Sequence, residues 1–121
     1  MKATVPNVGY GDEKRVVRLF GCIPLPFSGS RGKKEDGECK HYKVQTKHMR
    51  KSFSLAVSEL VELRTHARRS HRLPVLLTEV QTEEQRMVGK SDIYVTIPLE
   101  NLDAFLATYS EHREICMQES G

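Results

Sequence analysis

The sequence lacks the features that mark membrane-spanning, secreted and disulfide-rich proteins. Its longest uninterrupted apolar run is only a few residues, whereas a membrane-spanning helix needs about 20. The N-terminus has no apolar core of the kind found in secretory signals. There are 3 cysteines, an odd number at wide spacing, which argues against the disulfide framework of small secreted domains. These absences favour a cytoplasmic or nuclear protein without a transmembrane segment.

Familiar catalytic motifs are also missing. There is no G-x-S-x-G nucleophile elbow, no H-E-x-x-H metal motif and no G-x-G-x-x-G dinucleotide loop. Residues 29–34 resemble a phosphate loop only superficially. Phe27 stands where that loop needs its first glycine, and Lys34 stands where it needs a serine or threonine. The sequence therefore predicts a protein that is not an enzyme.

Charge is unevenly distributed along the 121 residues, although the formal net charge is only +3. Residues 31–72 contain twelve basic and five acidic side chains, and residues 73–121 contain three basic and nine acidic ones. Arginine and lysine neutralise the phosphate backbone of RNA or DNA, so a basic segment of this kind favours such a partner. We expect a small non-enzymatic binding protein whose basic middle contacts a polyanion, without a cofactor.

The predicted nucleic-acid contacts lie on a basic loop and on a long middle helix. Guanidinium groups near the end of that helix match phosphate oxygens bidentately, and lysines near its start extend the same track. An anionic membrane surface suits the segment less well, because the apolar stripe of the helix is needed for the core. The contact residues are Lys33, Lys34, Lys47, Arg50, Lys51, Arg64, Arg68, Arg69 and Arg72.

Two other functions are compatible with the same sequence. Segments of opposite charge would let basic and acidic faces meet between subunits. This would suit a self-assembling structural or adaptor protein of the virion or matrix type, or an accessory factor that docks on a protein partner. If the fold mixes the segments, their charges neutralise one another instead. A small enzyme is the third hypothesis, and a pocket that gathers titratable residues would favour it.

Cysteine and histidine residues offer one metal-binding arrangement, although no familiar motif predicts a metal site. Cys39 and His41 share one face of a predicted strand, and His112 and Cys116 lie one turn apart on a predicted helix. Two sulfurs and two imidazole nitrogens form a ligand set that zinc accepts in tetrahedral geometry. Nothing in the sequence brings the two pairs together. The simpler expectation is three free thiols that pack as small hydrophobic groups.

Hydrophobic periodicity predicts four strands and two helices in the order ββαββα. This order predicts an α+β fold with a four-stranded, mainly antiparallel sheet and both helices on one face. It fits a permuted ferredoxin-like sandwich. We expect a single domain over residues 14–118, a loose N-terminal arm over 1–13 and a flexible basic loop at about 26–38. The strands are expected at about 15–23, 39–46, 73–81 and 91–97, the helices at about 49–69 and 100–117, and a charged turn at 82–86.

Overall fold

Six strands and four α-helices lie in the part of the chain that the structure describes. The computed structural model describes residues 2–6, 13–25, 36–49 and 54–120. For residues 2–6, 13, 49 and 115–120 it describes the backbone only. A short 3-10 turn at Leu99–Asn101 leads into the last helix. The elements are β1 (Lys2–Pro6), α1 (Glu13–Phe20), β2 (Ile23–Pro24), β3 (Gly37–Glu38), β4 (Tyr42–Met49), α2 (Val57–Arg69), β5 (Leu73–Val80), α3 (Glu83–Val88), β6 (Lys90–Thr96) and α4 (Leu102–Ser120).

The strands form one mixed sheet in the order β1-β6-β5-β4-β3-β2. β4 and β5 run parallel, and the remaining neighbours run antiparallel. A parallel pair needs a long crossover connection, and α2 supplies it. The predicted α+β class is confirmed. The predicted number of four strands is wrong, because the described strands number six. The predicted mainly antiparallel pairing is confirmed for four of the five neighbouring pairs, and the central β4–β5 pair is parallel.

Helices cover both faces of this sheet. On one face, Tyr42 and Val44 of β4 and Leu77 of β5 form a core with Val17 of α1 and Phe105 of α4. Side chains alternate between the faces of a strand, so Lys47 and Leu76 point the other way. α2 lies there, since Lys47 pairs with Glu59 of that helix at 2.7 Å. The prediction of both helices on one face is therefore wrong.

Residues 15–23, which the sequence predicts to be a strand, instead form most of α1 and the start of β2. Val16 and Val17 are fully buried and Phe20 is partly buried against the core. Positions i, i+1 and i+4 share one face of a helix. The helix is only 8 residues long, so its β-branched content resembles a strand and tertiary packing decides the outcome.

The N-terminal segment also differs from its prediction. Lys2–Pro6 pairs antiparallel with β6 as an edge strand rather than forming part of a loose arm. Pairing at the edge of a sheet depends on backbone hydrogen bonds, and these give no clear pattern of apolar side chains in the sequence. The predicted basic loop lies outside the described residues over 26–35, and Gly37–Glu38 belongs to β3.

α2 and α3 differ from their predictions for local reasons. α2 begins at Val57 rather than near Met49, because Tyr42–Met49 continues as a strand along β5. The predicted charged turn is the helix α3. Thr82 and Gln85 form a capping box at its start, and Gly89 ends it at φ = 70°. No helix in the described part of the chain has the length and apolar character needed to cross a membrane.

Candidate metal centre

Three side chains of the metal-binding type meet at one point of the described structure. The sulfur atoms of Cys22 and Cys39 lie 2.6 Å apart, and the Cys39 sulfur lies 3.7 Å from Nδ1 of His112. All three ligand atoms lie within 4.8 Å of one another. The residues come from the end of α1, the turn between β3 and β4, and the middle of α4. The cluster therefore exists only where these three elements meet.

The C-terminal cap of α1 positions Cys22. Gly21 adopts φ = 91° directly after the helix, a conformation that glycine reaches without a steric penalty. The Gly21 N–H donates to the Arg18 carbonyl at 2.9 Å, and the Cys22 N–H donates to the Val17 carbonyl at 3.1 Å. These are the two bonds of a Schellman motif. The cap reverses the chain and leaves Cys22 only 4% exposed.

The turn between β3 and β4 holds Cys39. Its N–H donates to the Tyr42 carbonyl at 3.0 Å, and its carbonyl accepts from Nε of Arg72 at 2.6 Å. Two residues earlier, Gly37 has no room for a side chain. A Cβ there would press against Val17 and lie 3.0 Å from the Ile23 carbonyl oxygen. The backbone around Cys39 is therefore held on both sides, while the residue remains partly exposed.

α4 supplies His112, and its neighbours fix the direction of the ring. The Nε2–H donates to the carbonyl of Phe20 at 2.6 Å, so a helix-terminal carbonyl gains a partner. With Nε2 engaged in this way, Nδ1 faces Cys39. The imidazole also packs against the rings of Phe20 and Tyr42, with centroids 5.1 Å and 4.9 Å away. His112 is buried by these contacts.

The cluster changes the acidity of Cys39. The S–H of Cys22 donates to the Cys39 sulfur and lowers the pKa of the Cys39 thiol. Burial opposes this effect, and the hydrogen bond and charge of His112 reinforce it. Together these contacts lower the pKa of Cys39 from 9.0 to about 5. These contacts therefore favour the thiolate form of Cys39, which is the form that binds metal ions.

The structure brings together two of the four metal candidates that the sequence offers, Cys39 and His112. His41 lies elsewhere, with its Nε2 3.2 Å from Glu111 Oε2. Lys40 donates to the same carboxylate at 2.8 Å. Glu111 therefore connects this turn to α4, and His41 contacts Glu111 rather than the cluster. The side chain of Cys116 lies outside the described part of the chain.

Sequence reasoning did not include Cys22 among the metal candidates. The residue was expected to pack as a small hydrophobic group within a strand. The available signal was Gly21, because a glycine directly after a short amphipathic stretch is typical of a helix C-terminus. Recognition of that cap would have placed Cys22 in a turn. It would not have shown that the turn lies beside residue 112.

The basic residues predicted to contact nucleic acid do not form one free patch in the described structure. Arg64 and Arg69 are exposed and have no ion pair among the described residues. Three others have acidic or carbonyl partners, so part of the basic segment is neutralised within the fold. Lys33, Lys34, Arg50 and Lys51 lie outside the described residues. The partnered residues are Lys47, which pairs with Glu59, Arg68, which pairs with Glu100 at 3.3 Å, and Arg72, which donates to Cys39.

A second buried polar cluster centres on Glu79, whose side chain is fully buried in β5. Arg15 of α1 pairs with it, His48 Nδ1 lies 3.0 Å away, and the Ser91 hydroxyl donates at 2.6 Å. Burial alone would raise the pKa of this carboxyl. The hydrogen bonds from His48, Ser91 and Arg15 outweigh burial and lower the pKa from 4.5 to about 2. The cluster ties α1 to the sheet.

Comparisons of the chain with protein-family models, curated proteins and solved structures found no match. The chemistry open to the cysteine–histidine cluster follows from its own atoms. Two thiols and an imidazole nitrogen can ligate a borderline-soft metal ion. Two adjacent thiols can also undergo thiol–disulfide exchange.

Proposed function

We propose that this protein is a small zinc-binding protein that holds its ion through Cys22, Cys39 and His112. The supporting observation is the convergence of two sulfurs and one imidazole nitrogen within 4.8 Å. Thiolate and imidazole are preferred zinc ligands, whereas magnesium and calcium take oxygen ligands. The proposed role is binding, and no catalytic step is assigned to the ion.

The distances fit a tetrahedral ion after one small change. Zn–S bonds of about 2.3 Å and Zn–N bonds of about 2.0 Å put a sulfur and a nitrogen about 3.6 Å apart and two sulfurs about 3.8 Å apart. The 3.7 Å between Cys39 and His112 already matches. The Cys22 and Cys39 sulfurs must separate by roughly 1 Å to reach the tetrahedral spacing. Loss of the Cys22 proton breaks the S–H···S contact, and repulsion between the two thiolates then favours that separation.

The surroundings of the cluster also support metal binding. A histidine that ligates a metal usually donates its other ring N–H to a carbonyl or carboxylate, which fixes the tautomer. The Phe20 carbonyl fills that role for His112. Two thiolates in a largely buried site carry two negative charges, and a divalent cation neutralises both. Three protein ligands leave a fourth position, for which the i, i+4 spacing from His112 makes Cys116 the candidate in the sequence.

Titration of metal-free, reduced protein with cobalt(II) tests this site. Cobalt bound tetrahedrally by thiolates gives intense visible bands and thiolate-to-metal charge transfer in the near ultraviolet. We expect one equivalent of cobalt to saturate these signals and zinc to abolish them. Cys22→Ser, Cys39→Ser and His112→Asn should each weaken binding by more than about 100-fold, since even outer contacts contribute 10- to 100-fold.

His71→Asn is the matched control, because His71 is an exposed histidine at φ = 56°, a conformation that asparagine also tolerates. It should bind cobalt like the wild type. Circular dichroism would establish that each variant is folded. Absence of thiolate-to-cobalt absorption in folded wild-type protein would overturn the proposal. Equal affinities for His112→Asn and His71→Asn would also contradict it.

We retain binding of a nucleic-acid backbone as a second proposal, supported by exposed Arg64 and Arg69 on α2. Acidic partners of Lys47 and Arg68 weaken the support for a wider surface. Anisotropy of labelled single- and double-stranded RNA and DNA across a salt series tests this proposal. Affinity that falls log-linearly with salt would indicate phosphate neutralisation. Absence of binding at low salt would remove this function.

A further inference from the structure

The two cysteines of the cluster are arranged as an exposed and a buried thiol in direct contact. The sulfur atoms lie 2.6 Å apart, although 17 residues separate Cys22 from Cys39 in the sequence. Neither cysteine is joined in a disulfide bond among the described residues. Cys22 is 4% exposed, whereas Cys39 lies in a turn and is partly exposed. A molecule from solvent therefore reaches Cys39 first.

We propose that Cys22 and Cys39 form a dithiol–disulfide couple that exchanges with low-molecular-weight disulfides such as oxidised glutathione. The metal-free, reduced protein is the reactant, so the reaction does not depend on zinc binding. The two roles exclude each other, because a disulfide sulfur is no longer a thiolate that can ligate a metal ion.

The exchange takes two balanced steps. The Cys39 thiolate attacks one sulfur of the small disulfide, forms a mixed disulfide with it and releases one thiolate. The Cys22 sulfur then attacks the Cys39 sulfur, and the Cys39–glutathione bond breaks. The proton of the Cys22 thiol goes to the second departing thiolate. Overall, one thiolate and one thiol of the protein are oxidised to one disulfide, and one small disulfide is reduced to one thiolate and one thiol.

Burial and backbone geometry favour these roles. Attack on an outside disulfide needs access to solvent, and the partly exposed Cys39 has it. Cys22 lies behind Cys39 and in contact with it, so it can resolve the mixed disulfide. The two sulfurs are already in contact. Formation of the bond therefore starts from two sulfur atoms that the α1 cap and the β3–β4 turn already hold side by side.

The experiment treats metal-free, reduced protein with oxidised glutathione and follows the products by mass spectrometry with peptide mapping. We expect wild-type protein to lose two hydrogens and to yield a peptide that joins Cys22 to Cys39. In a Cys116→Ser background, Cys22→Ser should stop at a glutathione adduct on Cys39. In the same background, Cys39→Ser should form its adduct on Cys22 at least about tenfold more slowly.

Peptide mapping of the wild-type protein tests the proposal even if a variant folds poorly. Glutathione on Cys116 without any Cys22–Cys39 peptide would overturn the proposal. Equal adduct rates in folded Cys22→Ser and Cys39→Ser would also contradict the assigned roles. Cobalt binding by the reduced protein is measured separately. A protein that binds cobalt but does not exchange, or exchanges but does not bind cobalt, would therefore show which of the two proposals fails.

Discussion

Replacement of Glu79 by glutamine should remove the acid dependence of stability that arises from the lowered pKa of this carboxyl. Glu79 has a pKa of about 2 in the folded state, against 4.5 for the unperturbed group. One pKa unit corresponds to about 1.4 kcal/mol, so the shift corresponds to about 3 kcal/mol. The side chain is fully buried, so solvent does not screen this contribution appreciably.

The direction of the pKa shift determines the pH range over which ionised Glu79 stabilises the folded state. Because the pKa is lowered on folding, the stabilisation is fully present above the unfolded value near 4.5 and is lost as pH falls through the folded value near 2. At pH 7, Glu79→Gln should lower the free energy of unfolding by about 3 kcal/mol or more, since Arg15 loses its buried partner. For 121 residues this corresponds to roughly 12 °C in Tm. At pH 3 the stabilisation that the lowered pKa of Glu79 provides should be only about 1 kcal/mol.

Urea unfolding at a series of pH values between 7 and 2.5 measures this difference directly. Glu62→Gln, which changes an exposed glutamate of α2, is the matched control and should follow the wild type. The gap between Glu79→Gln and wild type should close as pH falls. A gap that stays constant from pH 6 to pH 2.5 would show that Glu79 does not carry the low pKa and would refute the reasoning.

Three further outcomes are expected. Gly37→Ala should lower the free energy of unfolding by about 1–3 kcal/mol in urea, because its Cβ would overpack Val17; unchanged stability would show that Val17 moves aside. Zinc at about 1,000 times its Kd should raise Tm by roughly 16 °C in calorimetry, and His112→Asn should abolish the rise; an equal rise in that variant would exclude His112 as a ligand. If α2 binds nucleic acid, replacement of Arg64 and Arg69 with glutamine should lower the slope of log affinity against log salt concentration by about two, as measured by anisotropy. An unchanged slope would exclude these two arginines as phosphate contacts.

The long periodic elements could be predicted from the sequence, and the short ones could not. The main part of α2 and strands β4, β5 and β6 lie where apolar spacing predicts them. α2 buries Leu63 and Ala67, and β5 is buried along most of its length. α1 could not be assigned, since eight residues fit both a strand pattern and a helix pattern. The arrangement of the sheet depends on the parallel β4–β5 pairing, and that pairing has no local signature.

The candidate site was predictable only in part, for a similar reason. Cys39 and His112 were candidates because of their chemistry, but 73 residues separate them and no local rule joins them. His41 has the same chemistry and a position only two residues from Cys39. His41 instead contacts a carboxylate on α4, that of Glu111, and does not join the cluster. Sequence reasoning identifies residue types that can bind a metal, whereas tertiary packing selects among them.

Because His112 lies on α4, a metal ion can bind through all three proposed ligands only after α4 has packed against the rest of the fold. Two of the proposed ligands precede β4, and the third lies beyond β6, so a chain whose sheet has formed without α4 offers the two thiols without His112. An ion bound through all three residues would hold α4 against the end of α1 and suppress its local opening. Amide hydrogens of α4 would then exchange with solvent at a rate that depends on the release of the metal. Occupancy of the site would thus distinguish completely folded molecules from those in which α4 remains detached.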